Sequence, residues 1–110
     1  MKKNSFIYLA QQSYSSLFKI GSSDNPEERL KQLQTANGER LELIETFETK
    51  NKFKLESALH RRFLSKKTLG EWFELTEEDL GEFKKACSTY ENNFNYLREN
   101  NTYIQDKQQW

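Results

Sequence analysis

Two short apolar runs near the start of the chain, Phe6-Ile7-Tyr8-Leu9-Ala10 and Leu17-Phe18-Lys19-Ile20-Gly21, stand only six residues apart. Both favour strands, and the polar, serine-rich spacer from Gln11 to Ser16 reads as a loop. So short a connection makes the second run the expected hairpin partner of the first. The first run has no polar residue to turn toward water, so it is expected to be buried on both faces. Gly21 is expected to end the second strand, where a backbone without Cβ allows a sharp exit. The chain therefore begins as a sheet, and the later helices have to pack on it.

Ser22-Ser23-Asp24-Asn25-Pro26 sets up the first helix. Asn25 is a capping residue, Pro26 suits the first helical position, and Glu28 stands three after Asn25 as in a capping box. Leu30 and Leu33 give the inner face, and Asn37-Gly38 stops the helix. Residues 41–49 read as a third strand with imperfect alternation: Leu41, Leu43 and Glu45 on one side, Glu42, Ile44 and Thr46 on the other. Residues 53–64 form a second helix, with Leu55, Ala58, Leu59 and Phe63 at helical spacing. Leu69-Gly70 breaks the chain, and Glu71-Trp72-Phe73-Glu74-Leu75 reads as a short edge strand or extended segment. Thr76 and Asp79 make a second capping box before a long helix. Its apolar residues Leu80, Phe83, Cys87, Tyr90, Phe94 and Leu97 alternate three and four apart, a heptad seam that suits packing on the sheet or pairing of two chains. Residues 101–110 read as a flexible tail. The expected fold is α+β, layered: a small central three-stranded sheet, antiparallel or mixed, flanked by helices, with a core in residues 1–75 and a long C-terminal helix over residues 76–100.

At 110 residues the chain fits one domain with a modest core. Lys+Arg and Asp+Glu balance at 17 each, so no global charge announces a nucleic-acid partner. The charges are segregated along the chain, however. Lys50, Lys52, Lys54, Arg61, Arg62, Lys66 and Lys67 stand against only Glu56, whereas residues 71–82 are acidic without a Lys or Arg. A local basic stripe can meet phosphate in a neutral chain; taken alone it is equally a solvated helix face. The single cysteine, Cys87, excludes an internal disulfide and a cysteine-rich zinc site. The apolar run after the basic residues Lys2 and Lys3 stops at Ala10, too short for a signal core or a membrane span. A cytoplasmic protein with no membrane partner is expected.

The order Phe6-Ile7-Tyr8, ten residues, Lys19-Ile20-Gly21, then a helix with Pro26-Glu27-Glu28-Arg29-Leu30 resembles the GIY-YIG nuclease superfamily. Glu56-Ser57-Ala58-Leu59-His60-Arg61-Arg62-Phe63 and Glu71-Trp72-Phe73 are similar to its phage-type subgroup, the T5orf172 and Mug113-like domains. The resemblance runs from about Ser5 to Leu75. Phe6 stands where the signature has its first glycine, and Lys19 where it has its second tyrosine.

The resemblance implies an endonuclease or nickase that hydrolyses phosphodiester bonds in DNA. Such a reaction needs an activated water, charge neutralisation on the phosphate and help for the leaving oxygen. The implied roles are one Mg²⁺ or Mn²⁺ ion on Glu56, a water oriented or deprotonated by Tyr8, phosphate contacts from Arg29 and Lys19, and a proton relay or phosphate contact from His60, four residues beyond Glu56 on the same helix face. Taken singly, each has a plainer reading: a core tyrosine, a solvated arginine, an outward strand lysine, an ordinary i,i+4 helix pair. Trp72 and Phe73 read as core packing. Two alternatives stay open: a catalytically silent nucleic-acid-binding module, and an interaction protein that forms a homodimer through the helix from Leu80 to Leu97 or is recruited by another protein.

Overall fold

The computed structural model describes residues 4–100. Four strands and three helices follow one another in the order β1 (Ser5–Gln12), β2 (Leu17–Ser23), α1 (Pro26–Thr35), β3 (Leu41–Thr49), α2 (Lys52–Arg62), β4 (Trp72–Glu74) and α3 (Glu77–Asn100), with a 3₁₀ turn at Leu64–Lys66 after α2. The strands form one sheet in the order β3-β1-β2-β4, and every pairing is antiparallel. The α+β class and the long last helix agree with the sequence reading. The sheet has four strands rather than three, because Trp72 and Phe73 pair with Lys19 and Phe18 and carry the extended segment into it.

β1 is central and buried on both sides, as its composition requires: Ile7, Tyr8, Leu9 and Ala10 are all 2% exposed or less. Ile7 and Leu9 face the main core with Phe18, Ile20 and Phe73 from the sheet, Leu55, Leu59 and Phe63 from α2, and Phe83, Ala86 and Cys87 from α3. Tyr8 and Ala10 point the other way. α1 packs against β3 and β1, but none of its residues is fully buried, and Leu30 and Leu33 are only half-covered.

The imperfect alternation in β3 has a structural cause. The β1–β3 register shifts between Leu9, opposite Glu45, and Ala10, opposite Leu43, so Ile44 is an extra residue. This bulge reverses the phase of the strand. Leu41 and Leu43 face one side, Phe47 faces the other with Ile7, and Ile44 is left exposed.

Helix ends follow the sequence unevenly. At Thr76 and Asp79 the box closes in both directions: Asp79 N donates to Thr76 Oγ1 at 3.1 Å and Thr76 N donates to Asp79 Oδ2 at 2.9 Å. At α1 only half forms. Glu28 N donates to Asn25 Oδ1 at 3.2 Å, but Asn25 N donates to Ser23 Oγ rather than to Glu28.

The heptad seam of α3 divides along its length. Phe83 and Cys87 are buried in the core and Leu80, Tyr90 and Phe94 pack against it, whereas Leu97 is exposed. Ala86 and Glu91, off the seam, are buried as well. The expected tail, residues 101–110, lies outside the described residues. Among the described residues no helix is long and apolar enough to cross a membrane.

Candidate active site

Tyr8 is held by its cross-strand neighbour. It pairs with Gly21 on β2, and a Cβ built on Gly21 would lie 2.8 Å from Tyr8 Cε2 and nearer still to the ring Cζ and hydroxyl. The ring therefore occupies the space that any side chain at Gly21 would need. This corrects the expectation of a turn. β2 runs on to Ser23, and Gly21 serves close approach rather than an exit.

The Tyr8 hydroxyl meets α1 through Arg29. Burial is the main influence on the phenol and raises its pKa. Hydrogen bonding and the charge of Arg29 oppose this, and the carboxylates of Glu56 and Glu71 add to it. The net displacement is upward from an ordinary value near 10, so in the metal-free chain the phenol keeps its proton at neutral pH. Orienting a water needs no ionised phenol, whereas acting as its base would need a displacement in the opposite direction.

α2 approaches the same strand from the core side. Glu56 Oε1 accepts a short hydrogen bond from Ser22 Oγ. Its Oε2 lies 3.7 Å from His60 Nε2. His60 Nε2 is 2.8 Å from the carbonyl of Ile20. A carbonyl only accepts, so Nε2 carries a proton here, and in the tautomer with this one ring proton the lone pair is on Nδ1. This contact has a simple origin. β4 reaches only as far as Trp72, opposite Lys19, so among the described residues Ile20 has no strand partner on that side. The imidazole takes the place of the missing strand, and the Phe73 ring packs edge-on against it at 5.1 Å between centroids.

Lys19 is buried on the Tyr8 side of β2, and its Nζ lies 2.9 Å from Glu71 Oε1. Glu71 is delivered by Gly70, whose φ of +68° turns the chain into β4 in the left-handed region that suits glycine. The hydrogen bond and charge of Lys19 lower the Glu71 pKa against a small opposing effect of burial, with further help from His60 and Arg29. Glu71 therefore belongs to the same electrostatic neighbourhood as Tyr8, Lys19, Arg29 and His60, although the sequence presents it only as part of a strand motif. Its sequence signals are its place in the family-like motif Glu71-Trp72-Phe73 and its position directly after a glycine. Ser22, the hydroxyl partner of Glu56, has no comparable signal.

Five side chains placed by sequence on four elements thus gather around one stretch of β2. Tyr8 (β1), Lys19 (β2) and Arg29 (α1) stand on one side, Glu56 and His60 (α2) on the other. Glu56 and His60 line an open groove of about 460 Å³ with Phe53, Ser57 and Arg61. Among the described residues no group of three His, Cys, Asp or Glu side chains is placed to hold a metal ion. A single Mg²⁺ does not need one: it binds through one or two carboxylates and keeps several waters. Glu56 fits, with 28% of its side chain open to solvent and a hydroxyl at its other oxygen.

The basic stripe does not act as a unit. Arg62 pairs with Glu82 at 2.7 Å and Lys66 with Asp79 at 3.1 Å, so the acidic segment neutralises part of the basic one across α2 and α3. Lys52 pairs with Asp24 at 3.1 Å. Lys50, Lys54, Arg61 and Lys67 are exposed without an ion pair among the described residues.

A small antiparallel sheet with a buried tyrosine, a facing glycine, an arginine on the next helix and a Glu–His pair on the one after defines a GIY-YIG-like, phage-type, nuclease-associated domain. The chain belongs to the T5orf172 domain family, whose model matches residues 5–88 and so reaches from β1 into the core-packed part of α3. No curated protein and no solved structure matches it.

Proposed function

We propose that this chain is a metal-dependent endonuclease that hydrolyses phosphodiester bonds in DNA. The observation that carries the reading is that Tyr8 and Arg29 on one side of a stretch of β2 and Glu56 and His60 on the other share one electrostatic neighbourhood, in which Tyr8 feels both Arg29 and Glu56, and that Glu56 and His60 line an open groove. Arg29 presents a planar guanidinium that matches phosphate oxygens and seats the scissile group. Tyr8, which keeps its proton, holds the attacking water in line. His60 donates through Nε2 to Ile20 and so offers Nδ1 as the acceptor for the proton that water loses. Glu56 holds one Mg²⁺ or Mn²⁺ ion, which supplies charge stabilisation on the phosphate and a more acidic water. Lys19, fixed by Glu71, contributes a buried positive charge behind the phosphate.

One observation favours the alternative, a silent DNA-binding module. Lys19 stands in the slot of the signature's second tyrosine, and its charge is already matched by Glu71. A domain of this size has little room to read sequence, so structure-directed cutting or recruitment by another protein would supply specificity. Such a partner, or a second copy in a homodimer, would meet α3 at the exposed Tyr96.

The test is a cleavage assay across linear, supercoiled and branched DNA with Mg²⁺ or Mn²⁺, run beside Glu56→Ala. Metal-dependent cutting that Glu56→Ala abolishes is the expected result. Salt-sensitive binding with no cutting by the intact chain would overturn the enzyme and select the binding module.

A further inference from the structure

The ion pairs of α2 sort its cations by direction. Lys52 turns to Asp24 on one flank of the helix, and Arg62 turns to Glu82 of α3 on the other. Lys66, in the turn that follows, is held by Asp79. Lys54 and Arg61 lie between these flanks, on the side away from the buried Leu55, Ala58 and Leu59. Both are exposed, and among the described residues neither has an ion pair or a side-chain hydrogen bond. Ser57 stands between them, exposed, and its hydroxyl has no partner among the described residues either. The three fall at i, i+3 and i+7, one above another on one helix face. The acids around the helix are engaged elsewhere. Asp24, Glu82 and Asp79 hold the three cations just named, and Glu91 accepts from Thr49 and the Lys50 amide. Glu56 is the one carboxylate of α2 itself, and it turns away from this face to Ser22. Lys50 does not belong to the face, because it shares a groove with Glu48 and Glu91. Lys67 follows the 3₁₀ turn and is outside the helical repeat that aligns the three.

We propose that Lys54, Ser57 and Arg61 form a track for the sugar-phosphate backbone of DNA, leading into the candidate site. This deepens the endonuclease reading and rests on it for the identity of the polyanion. Ser57 and Arg61 line the groove of Glu56 and His60, so a strand laid along the face from Lys54 arrives at the carboxylate. At 1.5 Å per residue the three donors span about 10.5 Å, the length of about three nucleotides of one strand at 3.4 Å each. The occupant is a strand rather than an isolated anion because the donors stand in a row and do not converge on one point. Each cation that meets a phosphate releases a condensed counterion, which is the main drive for sequence-independent binding. The serine hydroxyl adds a neutral donor to a phosphate oxygen. The track therefore holds DNA in place without reading its sequence. Of the seven basic residues in the stripe only Lys54 and Arg61 take part, and Lys52, Arg62 and Lys66 serve the fold.

The experiment measures binding of the full chain to a short fluorescein-labelled duplex of arbitrary sequence, in EDTA so that no cutting intervenes, across a range of salt. Lys54→Gln and Arg61→Gln should each weaken binding roughly tenfold near 0.1 M salt and lower the slope of log affinity against log salt by about 0.9. The double variant should lower the slope by about 1.8. Ser57→Ala should weaken binding about threefold with the slope unchanged. Arg62→Gln and Lys66→Gln remove cations already paired with acids, and the slope should stay within about 0.3 of the parent. An unchanged slope in the Lys54 and Arg61 double variant, or an equal fall in the Arg62 and Lys66 pair, would overturn the proposal. So would the absence of DNA binding by the intact chain. Equal affinity for polyglutamate would give the face to an acidic protein and overturn it too. Because the readout needs no metal, the two readings fail separately. A chain that binds through this face but never cuts keeps the track and loses the nuclease. One that cuts while its salt slope ignores Lys54 and Arg61 does the reverse. All three residues are exposed, so their replacement leaves the core intact, and circular dichroism of each variant checks the fold.

Discussion

Two carboxylates serve α2, and the fold uses them in opposite ways. Glu91, from α3, is 8% exposed and sits behind the start of the helix. One of its oxygens accepts from Thr49 Oγ1 at 2.5 Å and the other from the Lys50 amide at 2.8 Å. Thr49 Oγ1 in turn accepts from the Asn51 amide, and Asn51 Nδ2 donates to Asn95. Glu56, one turn into α2, has Ser22 at one oxygen and, among the described residues, His60 at 3.7 Å near the other. The first carboxylate is consumed by the structure. The second keeps acceptor capacity facing a groove. Unspent hydrogen-bonding capacity, more than the mere presence of an acid, marks the residue that can do chemistry.

The sharpest way to break this contrast is to remove each carboxylate in turn. Glu56→Ala should lower the metal-dependent cleavage rate by at least ~10²-fold, with a melting temperature within about 2 °C of the parent because no buried partner is stranded. If the melting temperature falls as far as for Glu91, Glu56 is structural and the contrast fails. Glu91→Ala should do the opposite. It leaves the buried Thr49 hydroxyl and the Lys50 amide without their acceptor, at a cost of about 2–3 kcal/mol, or on the order of 10 °C in melting temperature.

The pH dependence of Glu91 sharpens the point. Burial alone would raise its pKa, but the hydrogen bonds from Lys50 N, Thr49, Asn51 and Asn95 outweigh burial and hold it below the ordinary carboxylate value. A lowered folded value means that the stabilisation is fully present above the unfolded pKa, near 4.3, and is lost as the pH falls through the folded one. The stability difference between the parent and Glu91→Gln should therefore be largest near neutral pH and shrink on acidification. Urea midpoints across that range measure it.

Smaller effects refine the comparison. Gly21→Ala should cost about 1–3 kcal/mol, because its Cβ collides with the Tyr8 ring. Cleavage should fall with it, since the ring must move. A stable variant with full activity would show that Tyr8 is not held in place. Thr76→Ala removes a cap remote from both carboxylates and should cost about 1 kcal/mol by denaturant midpoint, with cleavage unchanged.

The legible part of the sequence is local. The hairpin, the helix spans and the Thr76–Asp79 box depend on neighbours within a few positions, and the structure forms them. The family resemblance picks out five residues that the fold gathers from four elements. The residues that escape a sequence reading depend on distance. Glu91 carries no local sign of its role, because the Thr49 hydroxyl and the Lys50 amide that it accepts from lie some forty residues earlier. Glu71 reads as strand sequence, because its partner Lys19 is brought beside it only when β4 pairs with β2. The basic stripe is continuous along the chain, yet Lys52, Arg62 and Lys66 turn toward acids and are neutralised there.

The contact between His60 and the Ile20 carbonyl has a further consequence. A strand margin with unspent backbone groups is a template on which another extended chain can grow. Where β4 ends, β2 would present such a margin, and the imidazole of α2 closes it. The helix that carries the candidate chemistry therefore also covers a backbone acceptor at the point where the sheet would otherwise offer itself to a further strand.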